Sequence, residues 1–355
     1  MTMGTCKKAR AEVTSVVSSD RLNSLPAKIK GNVLSRLDVR EAVRTSTLSS
    51  TWRDAWTDMP KIPLQDRNFM RTRFVTLVDM VLALHKGTIE EFDISGNKSY
   101  HDEFARWMLL LSRRSPRSVI IELNSGPRYK ISSCLFSIGD LKFLQLENCI
   151  ISLPRAFQGF KSLTYLSLNS FSSTDRDIQN LISFCPMLTN LILTSFEGIN
   201  QLNIQAPKLE YLSYLSKGCI LTKLPAVFTR LENIYLNICF WDQRQVFAAY
   251  SLFWNAPNLK MLAVWGYPLS MWDQCQARNP GHTLQMQMDH LITASVGCFR
   301  GIDYEVDFVA KLLSWSRALE EVKIEWKGET DCSMVLAKLL ALPRVSAKAK
   351  VIVIF

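Results

Sequence analysis

The sequence predicts an α/β protein in which short parallel strands stack side by side, with their return segments on one face and a small helical unit in front. Three observations lead there. A six-residue apolar frame recurs at a near-constant period through the middle of the chain. The segment ahead of it carries helix caps and apolar residues at helical spacing. The 355 residues are 48% hydrophobic and 21% charged, with 14 Gly and 13 Pro. That composition excludes a disordered, collagenous or low-complexity chain, and it supplies a core for one large domain or two to three smaller ones.

The frame is an apolar residue, two variable ones, an apolar, a variable and an apolar. It reads LKFLQL at Leu141, LTYLSL at Leu163, LTNLIL at Leu188, LEYLSY at Leu209, LENIYL at Leu231 and LKMLAV at Leu259. Weaker copies are IEEFDI at Ile89, SVIIEL ending at Leu123 and LEEVKI at Leu319. Frame and interval are similar to those of leucine-rich repeats, whose period is roughly 20–29 residues. One repeat cannot bury its apolar side alone. Stacked repeats share a core with leucines as rungs, so Leu144, Leu146, Leu166, Leu168, Leu191 and Leu193 are expected inside. Cys185-Pro186, Ala206-Pro207 and Ala256-Pro257 place a proline just before the next frame, where it stops the returning segment. The ninth frame position is Cys149 or Cys239 in two repeats and Phe171, Phe196, Lys217 or Tyr267 in others. This predicts an uneven ladder with the two cysteines as small buried wedges.

The third, fifth and seventh frame positions face the concave side of such a stack. Aromatics recur there as Phe143, Tyr165, Tyr211, Tyr235 and Trp265. Exposed aromatics suit interface anchors; the alternative is that they pack on one another or under a loop. Residues 266–300 interrupt the repeat and, with the aromatic-rich stretch from Trp241 to Trp272, form either a binding insertion or a poorly packed loop.

In the N-terminal unit, Ser24 is expected to cap a helix with Pro26 in its first turn. Ile29, Val33 and Leu37, with Leu34 beside them, give one apolar face. Asp38 and Glu41 have capping-box spacing and start a second helix. Ser49 or Ser50 caps a third helix that carries Trp52 and Trp56. Three short helices cannot bury all this apolar area, so the unit either docks on the repeats or keeps a face for a partner. The segment resembles an F-box of the plant F-box/leucine-rich-repeat type. The matching residues are Asp20, Leu22, Leu25-Pro26, Leu34, Leu37, Ala42-Val43-Arg44, Leu48-Ser49, Trp52-Arg53 and Trp56. Lys28, Lys30 and Gly31 depart from that pattern, and the glycine weakens the helix by about 1 kcal/mol relative to Ala.

The tail, DFVAKLLSWSRALEEVKIEW with LAKLLALPRVSAKAKVIVIF, is similar to the FBD region of plant F-box proteins. The match rests on Leu312-Leu313, Leu319-Glu320, Val322, Ile324, Pro343-Arg344-Val345-Ser346 and Val351-Ile352-Val353. It reads as one more repeat plus a helix and strand that close the stack.

The resemblances imply a three-helix F-box at 17–62, an irregular leucine-rich-repeat solenoid with a parallel sheet at 63–298, and an FBD-like cap at 299–355. They imply that Leu25, Pro26, Ile29, Leu34, Leu37, Leu48 and Trp52 dock a Skp-family adaptor, and through it cullin and RING subunits. Lys28, Lys30, Arg44 and Arg53 would form a rim suited to an acidic adaptor. The concave aromatics would hold a protein substrate, so that the chain acts in an SCF-type ubiquitin ligase by proximity. The alternative is a repeat scaffold for protein interactions without a ligase role.

Other classes find little support. The net charge is +10, with +7 of it between Met1 and Asp140, but no run of five basic side chains occurs, so no nucleic-acid partner is expected. No stretch of eighteen apolar residues lacks a charge, and the N-terminus lacks the apolar run of a secretory signal, so no membrane partner is expected either. Nine scattered cysteines, with no two close together in the chain, suit a reduced intracellular protein of the nucleus, the cytoplasm or both. There is no phosphate loop, nucleophile elbow or HExxH. His85 and His101 have no cysteine at finger spacing, and Cys275, His282 and His290 suit no common zinc pattern. Asp175 with Asp177, and Asp303 with Glu305 and Asp307, read as solvated faces. No catalytic residue, cofactor or metal is therefore expected.

Overall fold

The computed structural model describes residues 21–67, 69–215, 220–221, 227–267, 286–328 and 332–355. The expected features at Asp20, Lys217, Trp272, Cys275 and His282 lie outside the described residues. Twelve strands form one parallel sheet in chain order: β1 Lys61–Gln65, β2 Glu91–Gly96, β3 Ser118–Leu123, β4 Phe143–Glu147, β5 Tyr165–Asn169, β6 Asn190–Thr194, β7 Tyr211–Leu215, β8 Asn233–Ile238, β9 Met261–Gly266, β10 Thr293–Phe299, β11 Glu321–Trp326 and β12 Lys350–Ile354. In the six full repeats each strand begins two positions after the leucine that opens its frame. The frames stack in register: Leu144, Leu166, Leu191, Leu212, Ile234 and Leu262 are successive partners. Sequential parallel neighbours require every return to cross on the same side. The returns include α3 Arg71–Leu84, α4 His101–Ser112, α5 Asp175–Ser183, α6 Gln243–Trp254, α7 Asp303–Trp315 and α8 Cys332–Leu340.

The rungs expected inside are buried, each at most 1% exposed from Leu144 through Leu193. Cys149 and Cys239 are buried, and so are Phe171, Phe196 and Tyr267 at the same frame position. The three prolines sit at the second position of tight turns. The amides of Leu188, Leu209 and Leu259 donate to the carbonyls of Cys185, Ala206 and Ala256 at 3.1–3.2 Å. Proline's fixed φ suits that position, and the turn swings the chain from return to strand. Asn148, Ser170 and Ser195, each just past a strand, take a left-handed backbone with φ of 53°, 51° and 52°.

Several expectations change. Residues 266–300 do not simply interrupt the repeat, because Leu291–Val296 is a further frame, with Ala294 where the others carry a large apolar residue. Ala294 is only 2% exposed, so a methyl fills the rung. The expected boundaries at 62/63 and 298/299 fall inside β1 and β10 of one continuous sheet.

The front unit has two α-helices, α1 Ala27–Leu34 and α2 Val39–Arg44, and then three tight 3-10 turns at Thr45–Thr47, Ser50–Trp52 and Ala55–Asp58 in place of a third α-helix. Hydroxyls there bond to nearby backbone and favour short turns over a continuous helix. Thr45 Oγ1 donates to Ala42 O (2.6 Å), Thr47 Oγ1 to Arg44 O (2.8 Å) and Thr57 Oγ1 to Asp54 O (2.7 Å). Asp38 caps α2 by accepting from Glu41 N at 2.8 Å. Ser24 does not cap α1; its hydroxyl donates back to Arg21 O, and Pro26 stands at the N-cap position of α1 without a side-chain cap bond.

Candidate functional site

Two surfaces are set up by this architecture, one at the helical end and one on the open face of the sheet. At the helical end, α1 turns Lys30, Gly31 and Leu34 inward. Leu34, Ala42, Ala55 and Met59 form a small core of their own, with Leu37, Trp52 and Trp56 packed on it. Ile29 and Val33 consequently point away from the body, at 44% and 46% exposure, so the apolar face read from the sequence is split: Leu34 and Leu37 face the small core and Ile29 and Val33 face outward.

Of the expected adaptor-docking residues, Pro26, Ile29 and Leu48 are exposed, Leu25, Leu37 and Trp52 are half-buried, and Leu34 is sealed. Leu34 is thus corrected from a docking residue to the floor beneath the surface. Lys30 is corrected too. It is buried, with Nζ donating to Asn23 O (2.9 Å) and Thr51 O (3.0 Å) and lying over the Trp52 ring. Trp52 Nε1 donates to Asn23 Oδ1 at 2.9 Å. These bonds staple the 21–25 segment against 49–52. Lys28, Arg44 and Arg53 remain exposed. Leu22 and Val33, both exposed, extend the apolar surface; the i, i+4 spacing of Ile29 and Val33 is the signal that could have placed Val33 in it.

On the open face, the side expected to be concave, all five aromatics are half-buried. Phe143 and Tyr165 are register partners whose rings stack at 4.1 Å and 6°. Asn190 is the next partner in that row, followed by Tyr211. Tyr211 meets Tyr235 at 5.1 Å, and Tyr235 stacks on Trp265 at 6.1 Å and 16°. The rings therefore do pack on one another, and they still leave an edge or face open. Small residues beside them, Ser167, Ser213 and Ala263, are buried at the level of the backbone. Gly297 gives Trp265 its seat: a Cβ at that position would lie 2.1 Å from the indole Cδ1.

One end of the same face is acidic. Glu91, Asp93, Glu122 and Glu147 lie on β2, β3 and β4, with Glu122 opposite Glu147. Gln145 Nε2 donates to Glu122 Oε1 (2.6 Å) and Asn169 Nδ2 to Glu147 Oε1 (2.7 Å). Burial, helped by Glu122 and Glu91, pushes the Asp93 carboxyl up to about 6, and burial with Glu122 also raises Glu147. A cavity of about 300 Å³ is lined there by Gln65, Asp66, Asp93, Glu122, Asn124 and Gln145, with exposed Arg67 at its edge.

Among the described residues, no group of three or more His, Cys, Asp or Glu is arranged to hold a metal. His85 is buried between Met59 O (2.8 Å) and Gly87 O (3.1 Å), and desolvation lowers its pKa. His101 stacks on Tyr129 and faces Pro127 O. His290 lines a cavity of about 840 Å³ with Trp254, Trp315 and Arg317. Asp175 accepts from the amides of Asn200 and Gln201. Glu305 is not on a solvated face: it is fully buried and accepts from the amides of Arg300 (2.7 Å) and Gly301 (2.9 Å).

Comparison with known proteins finds relatives for both the helical unit and the repeats. The F-box domain family matches residues 22–63, and the family described as "FBD-associated F-box protein At5g56370, LRR repeats" matches residues 104–278. F-box/FBD/LRR-repeat protein At1g13570 of Arabidopsis thaliana is 28% identical over 94% of this chain and 98% of its own length. F-box/FBD/LRR-repeat protein At5g56420 and F-box protein At3g60790, both from the same plant, are 31% and 28% identical over 55% and 68% of this chain. The chain spans about half the length of those two, 48% and 52%. With an F-box in front and repeats of the FBD-associated type behind it, this chain belongs to the F-box/leucine-rich-repeat proteins.

Proposed function

We propose that this chain is the substrate receptor of an SCF-type ubiquitin ligase. The F-box docks a Skp-family adaptor, and through it the cullin and RING subunits. The open face of the repeats holds a protein substrate. The chain performs no chemistry of its own; it raises the local concentration of substrate near the ubiquitin-carrying enzyme. It does so in the nucleus, the cytoplasm or both. The observation that carries the reading is the exposed apolar set on the F-box. Leu22, Ile29, Val33 and Leu48 are 64%, 44%, 46% and 79% exposed on a unit whose own core is closed beneath them. Lys28, Arg44 and Arg53 around this set complement an acidic partner.

The test is capture of a purified Skp-family adaptor by the intact chain. A variant carrying Leu25→Ala, Pro26→Ala and Leu48→Asp is expected to lose about tenfold or more in affinity. Leu109→Asp, an exposed apolar position on α4, is expected to leave capture unchanged. Undiminished capture by the triple variant overturns the assignment of the surface. Failure of the parent chain to capture any adaptor favours a scaffold without a ligase role.

A further inference from the structure

The open face of the sheet divides sharply by chemistry along the stack. From Tyr165 on β5 to Ser295 on β10 its strand positions carry no charged side chain, only aromatic, amide, hydroxyl and aliphatic groups. On β2 to β4, by contrast, it carries four carboxylates. Glu91 has Lys61 at 2.9 Å. None of the ion pairs among the described residues involves Asp93, Glu122 or Glu147. Asp66 deepens the cavity that Asp93 and Glu122 border, and its carboxylate is already engaged by Tyr100 Oη, the Asn97 amide and Lys98. This concentration of negative charge stands in a chain whose net charge is +10, most of that excess lying ahead of Leu141. The stacked Phe143 and Tyr165 lie directly beside it, offering ring faces against which a guanidinium or a lysine stem can rest.

We infer that this face docks an extended peptide segment with Lys or Arg seated among Asp93, Glu122 and Glu147, and with apolar or aromatic side chains seated at Tyr235 and Trp265. The inference rests on the substrate-receptor reading and adds the chemistry of the segment that is held. Charge complementarity chooses the occupant. A cation relieves carboxylates that repel one another, whereas an acidic or neutral segment leaves them with only the Gln145 and Asn169 amides and the exposed Arg67 at the cavity edge. The neutral stretch then receives side chains with no ionic partner to satisfy. The spacing follows from the sheet. Six strand-to-strand steps separate Glu122 from Trp265, about 29 Å at roughly 4.8 Å per step, which an extended chain covers in about nine residues at about 3.3 Å each. Trp265 holds its place because Gly297 offers no side chain beneath it.

The experiment selects from a phage-displayed library of random dodecapeptides on the intact immobilised chain. Lys and Arg are expected to be enriched over Asp and Glu near one end, with Leu, Phe, Tyr or Trp toward the other. The best peptide, resynthesised with a fluorophore, is expected to bind about tenfold more weakly to the Asp93→Asn, Glu122→Gln, Glu147→Gln variant and in about 0.5 M salt. Gly297→Val, which displaces Trp265, is expected to remove the apolar preference and keep the basic one. Selection of acidic or neutral peptides, no selection at all, or basic enrichment that survives neutralisation of the three carboxylates overturns the proposal. Adaptor capture is measured on the same preparations. Capture that persists while peptide selection fails removes this proposal and leaves the receptor reading standing; loss of capture in the parent chain removes the receptor reading itself.

Discussion

Replacing Gly31 by alanine would put a methyl group where the backbone of the F-box leaves no room. The Cβ would sit 2.4 Å from the Asp58 carbonyl oxygen and 2.8 Å from its carbon, well inside ordinary contact. Neither atom is the end of a flexible side chain, and the next residue, Met59, is locked in the small core with Leu34, Ala42 and Ala55. Relief therefore means moving α1 off the last tight turn. Overpacking of this kind costs about 1–3 kcal/mol, and rigid backbone on the far side argues for the upper end. Helix propensity acts the other way, favouring Ala by about 1 kcal/mol. The net expectation is a loss of about 2 kcal/mol, or roughly 30-fold, in the local equilibrium that protects the Lys30–Leu34 amides. Hydrogen exchange of those amides in the intact chain reads it directly. Asn32→Ala, at an exposed position of the same helix, is the control and should slow exchange slightly, since propensity alone operates there. Equal or slower exchange in Gly31→Ala would refute the reasoning, because propensity would then have outweighed the close approach.

Two further outcomes follow from the repeats. Ser170→Gly is expected to raise the denaturation midpoint, by up to about 1 kcal/mol in stability, because Ser170 holds a left-handed backbone with φ of 51° that glycine adopts without strain; a lowered midpoint would show that the hydroxyl outweighs the strain. Asp93→Asn is expected to stabilise the protein at about pH 7.5 and to be neutral near about pH 4. The folded-state pKa of Asp93 is raised from 3.8 to about 6, so its contribution is fully present below the lower value and is lost as pH rises through the upper one. Thermal melts of both proteins across that window check the sign, and a variant less stable than the parent on the alkaline side would contradict it.

The sequence by itself determined the period and register of the sheet. Leucines at fixed offsets can be buried only by stacking, so Leu144, Leu166 and Leu191 had to become neighbours, and the prolines at 186, 207 and 257 had to mark the turns. It also determined which face Phe143, Tyr165, Tyr211, Tyr235 and Trp265 occupy, because alternation along a strand leaves no other choice. One rung carries no leucine signal because Ala294 fills it with a methyl group. What only the tertiary structure decided was the orientation of α1. Two stripes of the helix could have faced inward, and close packing at Gly31 selected the one with Lys30 and Leu34, turning Ile29 and Val33 outward. The acidic end of the open face was likewise invisible in the chain order. Asp93, Glu122 and Glu147 belong to three successive repeats, and parallel pairing alone brings their charges together, where burial and mutual repulsion act on them.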